Sequence, residues 1–263
     1  MNLSIITINF NHAEGLKRTI DSIVNQTFSD YEWIVVDGGS TDGSKELIEQ
    51  YKEHFAWWCS EPDKGVYNAM NKGIAHATGE YINFMNSGDM FATPTILEEI
   101  FSTPQSADIL YGQMVRGDYN GPLNNTPLLK PNIEWYDFYY CTFNHQATFT
   151  KRLLFSTIGL FDETYSLYGD WDFFARAIVH HHVDTLYLPI KIAIYEGGGI
   201  SDTSDKQKEE LQKLRDKIYG KKITESFIRE YQGLSEVILP HRLSRFLYKA
   251  LKYCTRKIIK ILK

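Results

Sequence analysis

The sequence predicts an α/β fold in which a mostly parallel sheet is flanked by helices. Short runs of β-branched and aromatic residues alternate with amphipathic helical patterns over residues 1–90, as is typical of a parallel sheet with helices on both faces. Polar turn clusters follow three of the strand-like runs, at 9–11, 37–42 and 86–89. Because such sheets bind ligands outside the carboxyl ends of their strands, we expect these clusters to lie close together.

Hydrophobic spacing and turn residues place the individual elements. In the first part of the chain, strands are predicted at 3–8, 31–36, 55–59 and 80–85, and helices at 13–25, 44–51 and 66–77. The stretch 102–145 shows no clear period and is expected to be rich in loops. Further strands are predicted at 147–150, 185–188 and 190–195, a helix at about 171–180, and polar helices over 205–236.

Charge separates the C-terminal segment from the rest of the chain. Residues 237–263 contain eight Lys or Arg and no acidic residue, whereas residues 1–236 contain 20 basic and 33 acidic residues. On a helix with about 100° per residue, the basic side chains of 241–263 fall on one arc and the apolar ones on another. This pattern predicts an amphipathic helix on an anionic membrane surface. Packing on the acidic body of the protein or on a second subunit is the alternative, and the acidity of 1–236 disfavours nucleic acid.

Cysteine usage and hydropathy indicate the compartment. Cys59, Cys141 and Cys254 are far apart in the sequence and form no CxxC pair, which favours a reduced, cytoplasmic protein. Residues 1–10 lack the basic and apolar regions of a signal peptide, and no stretch reaches the roughly 20 apolar residues of a transmembrane helix. We therefore expect a cytoplasmic protein that binds peripherally at the inner face of the cytoplasmic membrane.

Six polar or glycine-rich segments follow one another along the chain. They are 4–11 (SIITINFN), 35–43 (VVDGGSTDG), 61–74 (EPDKGVYNAMNKGI), 86–89 (NSGD), 145–146 (HQ) and 169–172 (GDWD). In this order they resemble family-2 glycosyltransferases of the GT-A fold, and 61–74 is similar to a branch found in colanic-acid, capsule and O-antigen clusters. The resemblance implies a GT-A catalytic domain at 1–204, with a helical extension expected at 205–240 and the basic amphipathic helix at 241–263.

The resemblance implies that a nucleotide-sugar donor binds at the first two segments. Asp37 would accept hydrogen bonds from N–H groups of the nucleobase, with Ile8 and Phe10 beside the base and the ribose. Asp37 could instead be a turn residue that accepts bonds from its own backbone. Asp42 precedes a predicted helix and is expected to be its N-cap.

In the 61–74 segment, the resemblance assigns Asp63, Lys64, Asn68 and Asn71 to the donor. Lys64 would meet a phosphate. Asn68 and Asn71, which share one face of the predicted helix, would bind ribose or phosphate. A solvent-exposed helix start explains the same residues without a ligand.

Asp89 is implied to be a metal ligand. A divalent ion neutralises a diphosphate leaving group, and Mn²⁺ or Mg²⁺ suits hard oxygen ligands. Family members usually carry two acidic residues here, whereas this chain has Asn86 and Gly88, which leaves Asp89 as the only carboxylate of the turn. Asn86 is assigned to the donor. We therefore expect the free ion to bind weakly and to need the nucleotide.

Asp170 is implied to be the catalytic base, and Gly169 replaces the glutamate that precedes this aspartate in the family. Inverting transfer requires one base that takes the proton of the acceptor hydroxyl. Asp172 lies two residues on and points elsewhere on a helix, and Arg176 is expected to pair with a carboxylate. The alternative role for Asp170 is a helix cap.

His145, Gln146 and Trp171 are assigned to the diphosphate or the acceptor. The predicted reaction moves a sugar, with inversion, from a nucleotide sugar to a hydroxyl of a lipid-linked oligosaccharide in surface polysaccharide biosynthesis. A sugar-phosphate nucleotidyltransferase is one alternative, but it would need a glycine-rich phosphate loop with Arg or Lys where residues 9–12 read NFNH. A catalytically inactive GT-A binding module is the other, which the residues at 86, 88 and 169 keep open.

Overall fold

The computed structural model describes residues 1–117, 124–125, 133–135, 137–197 and 207–220. The chain divides into two compact units, Met1–Leu214 and Arg215–Lys263. The first contains the sheet and the candidate site, and of the second only 215–220 are described. The predicted amphipathic helix at 241–263 and most of the predicted extension at 205–240 lie outside the described residues. Within the described ranges, none of the helices has both the length and the apolar character that crossing a membrane requires.

The elements follow the predicted alternation of strands and helices. The strands are β1 (Leu3–Asn9), β2 (Tyr31–Asp37), β3 (Trp57–Ser60), β4 (Tyr81–Phe84), β5 (Met90–Phe91), β6 (Ile109–Arg116), β7 (Asn124–Asn125), β8 (Thr148–Lys151) and β9 (Thr185–Tyr195). The helices are α1 (Ala13–Val24), α2 (Ser44–Gln50), α3 (Val66–His76), α4 (Ile96–Phe101), α5 (Arg152–Thr157), α6 (Gly169–Ala175) and α7 (Gln207–Tyr219). Short 3₁₀ turns lie at Lys52–His54, Asp137–Tyr139 and His145–Ala147, and a π-helical turn at Arg176–His180 continues α6.

The strands form one sheet in the order β3-β2-β1-β4-β8-β6-β9-β5, and β7 pairs with β6. β1 pairs in parallel with β2 and β4, and β2 pairs in parallel with β3. Antiparallel pairing begins at β8, which lies between β4 and β6, while β6 and β9 run parallel. The prediction of a mostly parallel sheet is confirmed, and the carboxyl ends of β1 to β4 meet at one edge.

The core is built from apolar faces that the sequence pattern predicts. α1 buries Leu16, Ile20 and Ile23, whose spacing places them on one helix face. They belong to one buried cluster with Ile5 of β1 and Trp33 of β2. Burial of each such side chain contributes roughly 1.5–3 kcal/mol. The cluster therefore fixes α1 against the sheet, and with it the loop that joins β1 to α1.

The largest difference from the predicted elements lies in the stretch expected to be loop-rich. It contains β6, which buries residues on both faces and so lacks the alternation that identifies a half-exposed strand. The sequence also predicts two strands on either side of Pro189, but β9 continues through it. The pairing of β6 with β9 is irregular between Tyr111 and Gln113, and such a bulge accommodates a proline that cannot donate to the ladder.

Element boundaries also differ from the prediction. The strand predicted at 55–59 begins at Trp57 because the 3₁₀ turn precedes it. The helix predicted at about 171–180 begins at Gly169 and becomes π-helical after Ala175. α4 and α5 contain six residues each, too few to show a helical period in the sequence.

Candidate active site

The three polar clusters meet at the carboxyl ends of the parallel strands, as predicted. Asn9, at the end of β1, donates through Nδ2 to Asp37 Oδ1 at 2.7 Å. Ser87, after β4, donates through Oγ to Asn9 Oδ1 at 2.7 Å. The amide of Asn9 therefore joins the turn after β2 to the turn after β4 and fixes both at the end of the central strand.

Asp37 is fully buried, and protein donors engage both of its carboxylate oxygens. Besides the Asn9 amide, Oδ1 accepts from Ser40 Oγ at 2.5 Å, and Oδ2 accepts from the Ser40 N–H at 2.9 Å and from Ser60 Oγ at 2.6 Å. Burial favours the protonated form, but these hydrogen bonds outweigh it and hold the pKa of Asp37 below its usual value. Asp37 thus stabilises its turn as a carboxylate, and a nucleobase would reach it only by displacing a protein donor.

Asp42 is not the N-cap of α2, so that prediction is wrong. The residue before α2 is Gly43, at φ +97°, in the left-handed region that glycine adopts readily. Asp42 Oδ1 accepts from the N–H and the hydroxyl of Ser44 at 3.1 and 2.6 Å. Its Oδ2 accepts from the N–H of Ala13, the first residue of α1, at 2.8 Å. One carboxylate therefore satisfies donors at the starts of two helices.

A second group of predicted donor residues lies on the open side of the same edge. Phe10 is 65% exposed, and Ile8 is half-buried. Asp63 accepts from the N–H of Gly65 with Oδ1 at 2.8 Å. Its Oδ2 faces Gly38, because a Cβ on Gly38 would lie 2.7 Å from that oxygen and 3.1 Å from the Phe10 ring. The ends of β1, β2 and β3 therefore bring Phe10, Gly38 and Asp63 close together.

The other residues predicted in the 61–74 segment make contacts within the protein. Lys64 is exposed, and its backbone N–H donates to Asn68 Oδ1 at 3.2 Å. Asn68 and Asn71 share a face of α3, and their amides donate to the Glu163 carboxylate at 3.0 and 2.9 Å. Asn71 also bonds the carbonyl and the N–H of Phe161. The amide of Asn71 is thus engaged in holding the 161–163 loop on α3.

Asp170, the predicted base, is oriented by three groups of the protein. Its Oδ1 lies 3.0 Å from the hydroxyl oxygen of Tyr67 and 2.8 Å from the backbone nitrogen of Trp171. Its Oδ2 lies 3.1 Å from His145 Nδ1. The side chain is 15% exposed, so the carboxylate is held in one direction and still reaches solvent. Because Trp171 lies in the first turn of α6, its N–H bond to Asp170 also stabilises the N-terminal end of this helix.

Tyr67 is a site residue that the sequence analysis misses. It is buried, and its ring lies against Gly169, where a Cβ would come 2.7 Å from a ring carbon. Its hydroxyl also lies 2.7 Å from the carbonyl oxygen of Leu167. The glycine that replaces the family glutamate therefore leaves room for the Tyr67 ring. The available signal is the joint occurrence of this tyrosine in 61–74 and of glycine in 169–172.

His145 connects Asp170 to the turn after β4. Its Nε2 lies 3.0 Å from Asn86 Nδ2. Burial favours the neutral imidazole, but the carboxylates of Asp170 and Asp89 outweigh it and raise the pKa of His145. Asn86 Oδ1 is buried and has no hydrogen-bond partner among the described residues. A 180° rotation of this amide would let Oδ1 accept from a protonated His145, so the Asn86 side chain suits both protonation states.

Asp89 is buried beyond His145 in this network. It is 4% exposed, and burial raises its pKa to about 7. The positive charge of His145 and a hydrogen bond from the Gln146 side chain favour the carboxylate, whereas the charge of Glu196 opposes it. Gln146 therefore contacts the predicted metal ligand.

The remaining residues of the 169–172 segment face the protein interior. Trp171 is buried, and its Nε1 donates to the carbonyl of Phe138 at 2.8 Å. Asp172 is fully buried and pairs with Arg176 Nε at 2.9 Å. This pairing confirms that Asp172 points away from Asp170 and that Arg176 bonds a carboxylate.

The sequence predicts one protein ligand for a metal ion, Asp89. Within the described ranges, no group of three or more His, Cys, Asp or Glu side chains is arranged to hold one. A buried carboxyl with a pKa of about 7 can exchange its proton for a cation near neutral pH. Asp89 therefore fits as one ligand of an ion whose other ligands are diphosphate oxygens and water.

Parallel strands that end in carboxylate-bearing turns, next to an antiparallel part that carries Asp170 and His145, define an α/β transferase of the GT-A class. The model of Glycosyl transferase family 2 matches residues 4–165. The chain belongs to this family and is a glycosyltransferase, as the sequence predicts.

The relatives agree with this assignment. The chain is 33% identical over 212 residues to a PGL/p-HBAD biosynthesis glycosyltransferase of Mycobacterium bovis, with 76% of this chain and 79% of the relative covered. It is 34% identical over 188 residues to an uncharacterized glycosyltransferase of Mycobacterium tuberculosis, with 66% and 68% covered.

Two solved structures share the fold. S. aureus TarS in complex with UDP-GlcNAc has a TM-score of 0.68 at 18% identity, with 83% of this chain and 65% of that chain covered. The mannosyltransferase PcManGT from Pyrobaculum calidifontis, in complex with GDP-Man and Mn²⁺, has a TM-score of 0.56 at 16% identity, with 82% and 61% covered. The chain thus spans less than two thirds of these solved chains, and at these identities the likeness concerns the fold.

Proposed function

We propose that the chain is an inverting glycosyltransferase that moves a sugar from a nucleotide diphosphate sugar to a hydroxyl of a lipid-linked oligosaccharide. The observation that carries the proposal is the contact series from Asn86 through His145 to Asp170. It links one oriented carboxylate to the turn that contains Asp89. The donors in the two solved relatives, UDP-GlcNAc and GDP-Man, support a nucleotide-sugar donor.

Asp170 performs the proton step. Its carboxylate accepts the proton of the acceptor hydroxyl while the acceptor oxygen forms a bond to the anomeric carbon. The bond from that carbon to the diphosphate oxygen breaks on the opposite face, and the diphosphate leaves with the electron pair, so the configuration inverts. Tyr67 and His145 hold the two oxygens of Asp170, which keeps the base in the reactive direction.

The donor diphosphate is assigned to the turn after β4. Asp89 would hold Mn²⁺ or Mg²⁺ together with the diphosphate, and the ion supplies positive charge that stabilises the leaving group. Asn86 and Lys64 remain assigned to the donor, since Asn86 has a buried oxygen without a partner among the described residues and Lys64 is an exposed cation. Asn71 is reassigned to positioning the 161–163 loop, because its amide is engaged there.

The acceptor and its location are assigned from charge and from the relatives. The Mycobacterium bovis relative is named for PGL/p-HBAD biosynthesis, which supports an acceptor that belongs to a glycoconjugate. The eight basic residues of 237–263 would attract an anionic leaflet at about 1 kcal/mol each. The enzyme would then work at the inner face of the cytoplasmic membrane, near a lipid-linked acceptor. A second copy of the chain is the other candidate partner for the apolar side chains of 241–263, which are predicted to share one arc of a helix.

The proposal is tested with the purified full chain, a panel of UDP-, GDP- and dTDP-sugars and Mn²⁺. Asp170→Asn should lower hydrolysis or transfer by about 10²–10⁴-fold, as expected for loss of a general base, while nucleotide affinity stays nearly intact. Asp30→Asn is the matched control, because Asp30 precedes β2 at the opposite edge of the sheet and contacts the N-terminal amino group. If Asp170→Asn keeps more than about a third of the activity, Asp170 is not the base. NMR of the anomeric configuration of the product tests inversion.

A further inference from the structure

The segment that leads to Asp170 is held from two sides. From α3, the hydroxyl oxygen of Tyr67 lies 2.7 Å from the carbonyl oxygen of Leu167 and 3.0 Å from Asp170 Oδ1. From α7, Glu210 uses Oε1 to accept from the N–H of Ser166 at 2.8 Å and also from its hydroxyl, and Oε2 to accept from the Leu167 N–H at 2.9 Å. The peptide groups on both sides of Leu167 are therefore held by side chains of two different helices.

Glu210 is a charged acceptor for the turn before α6, which consists of residues 166–168. Burial favours its protonated form, but hydrogen bonds from Ser166, Leu167 and Tyr168 outweigh it and hold the pKa of this carboxylate below its usual value. Tyr168 directly precedes α6, so three consecutive residues at the entry to that helix donate to one charged group. Hydrogen bonds to an ionised acceptor are about twice as strong as neutral ones. They therefore hold this turn in one conformation.

Other residues of α7 keep the helix in place. Leu214, one turn beyond Glu210, is fully buried, and Lys213 Nζ lies 4.9 Å from the centroid of the Tyr165 ring. Residues 207–214 belong to the same compact unit as the candidate site. Because these contacts do not involve Glu210, a substitution there removes the hydrogen bonds to the turn and leaves the helix anchored.

We propose that Glu210 is a positioning residue for the reaction, which fixes the turn before α6 and thereby sets the direction of the Asp170 carboxylate. Asp170 follows this turn closely in the chain, and the Leu167 carbonyl contacts the same Tyr67 hydroxyl that lies beside Asp170. A shift of the turn would therefore move the base through the backbone and through Tyr67. Glu210 does not touch the reacting atoms, and the inference rests on the proposed role of Asp170 as the base. The catalytic unit then includes α7, which lies beyond the residues 4–165 that the family model matches.

The expected effect of losing Glu210 is on the rate of the chemical step. Misplacement of a catalytic group by about 1 Å can lower a rate about 100-fold. Glu210→Ala should therefore lower kcat about 10- to 100-fold and leave the affinity for nucleotide unchanged, because the turns assigned to the donor are held by other residues. Glu210→Gln keeps one oxygen that can accept from the turn but directs an amide hydrogen at a second N–H. Its kcat should lie between those of the wild type and the alanine variant.

Two other glutamates provide matched controls. Glu32 of β2 is also a carboxylate that accepts from consecutive backbone N–H groups, those of Thr78 and Gly79, but it lies at the amino edge of the sheet. Glu32→Gln should lower stability and leave kcat unchanged. Glu209, next to Glu210 on α7, is exposed. Glu209→Gln should change neither stability nor kcat, and it controls for the loss of one negative charge from the helix.

The measurement combines steady-state kinetics and calorimetry on the full chain with Mn²⁺. The substrate is the member of the UDP-, GDP- and dTDP-sugar panel that the wild type turns over fastest, and the ligand for titration is the corresponding nucleoside diphosphate. The decisive comparison is a double-mutant cycle. In the Asp170→Asn background, Glu210→Ala should change the residual rate by no more than about twofold, because the group that Glu210 positions is then already lost.

Each contrary result has its own meaning. An unchanged kcat in Glu210→Ala, or an equal loss in Glu32→Gln, would make Glu210 a structural residue only and overturn the inference, while the transferase function stands. A loss of equal size in the Asp170→Asn background would also overturn it, since Glu210 would then act on something other than the base. If Glu210→Ala does not fold, Glu210→Gln is judged by the same criteria. If the wild type turns over no sugar of the panel, the proposed function fails together with the inference.

Discussion

The hydroxyl oxygen of Tyr67 lies 3.0 Å from Oδ1 of Asp170, although the two residues are 103 positions apart in the sequence. Tyr67 stands at the start of α3, in the parallel part of the protein, and Asp170 stands at the start of α6. The contact therefore connects the donor side of the site to the residue assigned to the acceptor proton. Since the Tyr67 side chain is buried, it has little freedom to leave this position.

Tyr67→Phe should lower kcat about tenfold and leave the affinity for nucleotide unchanged. The substitution removes one hydrogen bond that orients the Asp170 carboxylate, and such a bond to a charged group contributes about 1.5 kcal/mol, which corresponds to roughly tenfold in rate. The ring that packs on Gly169 is retained. Steady-state kinetics and calorimetric titration of the nucleotide measure the two quantities separately.

Tyr81→Phe is the matched control. Tyr81 is also buried, and its hydroxyl donates to the carbonyl of Ala107 at 2.6 Å, at the start of β4 and away from Asp170. Both variants should lose similar stability. If they also lose similar activity, the Tyr67 hydroxyl has only a structural role.

Much of the site's position follows from the sequence for a simple physical reason. Parallel strands all end at one edge of the sheet, so polar turns after β1, β2 and β4 have to meet there. The contacts of Asn9 with Asp37 and Ser87 are the result. The apolar face of α1 is equally predictable, because a 3.6-residue period specifies which side chains turn inward.

The partners of individual side chains do not follow from such patterns. A period or a turn signal says which face a residue occupies but not which distant residue faces it. Asp42 is an example, since its contact with Ala13 at the start of α1 depends on how two loops approach each other. The contacts of Tyr67 with Gly169 and Asp170 depend in the same way on the packing of α3 against α6.

Gly169→Ala should destabilise the protein by about 1–3 kcal/mol, as is typical of overpacking. The added Cβ would lie 2.7 Å from a carbon of the Tyr67 ring, and the gain in helix propensity of about 1 kcal/mol or less does not offset this. The double variant Tyr67→Ala, Gly169→Ala should show a coupling energy of at least about 1 kcal/mol in a double-mutant cycle by chemical denaturation. Additive effects would mean that the ring and the glycine do not constrain each other.

Asp37→Asn should cost about 2–3 kcal/mol of unfolding free energy at pH 7, because it replaces a carboxylate that accepts four hydrogen bonds. The folded pKa is lowered, so the stabilisation is fully present above the unfolded value of about 4 and is lost as the pH falls through the folded pKa. The difference between wild type and variant should therefore shrink at about pH 3. Urea denaturation at both pH values measures it, and a cost that is equal at both would assign the effect to packing instead of charge.

Removal of residues after 238 should abolish binding to anionic vesicles. The removed part contains all eight basic residues of 237–263, and the sum of roughly 1 kcal/mol per charge is sufficient for reversible binding. Co-sedimentation of the full chain and of the 1–238 protein with anionic and neutral vesicles is the measurement. Equal binding by both proteins, or no binding of the full chain to anionic vesicles, would mean that the segment is not a membrane anchor. Packing on the acidic body of the protein or on a second subunit would then be the role to test.

Asp89→Ala should abolish the enhancement of nucleotide binding by Mn²⁺. In the wild type, the Mn²⁺-dependent part of the affinity should also rise as the pH increases from 6 to 8. The reason is that burial raises the pKa of Asp89 to about 7, so below this pH a proton competes with the ion for the carboxylate. Without the ion, the same pKa means that the folded state loses stability as the pH rises from about 4 to 7. In this range the unfolded chain releases the Asp89 proton, whereas the folded state retains it.

Titrations of UDP and GDP with Mn²⁺ and with EDTA, at pH 6, 7 and 8, measure this effect. Asp30→Asn serves as the control, since it removes an exposed aspartate at the other edge of the sheet. Equal enhancement by Mn²⁺ in the wild type and in Asp89→Ala would remove Asp89 from the metal site. An enhancement that is lost in Asp89→Ala but independent of pH in the wild type would keep Asp89 as a ligand and show that it is already ionised at pH 6.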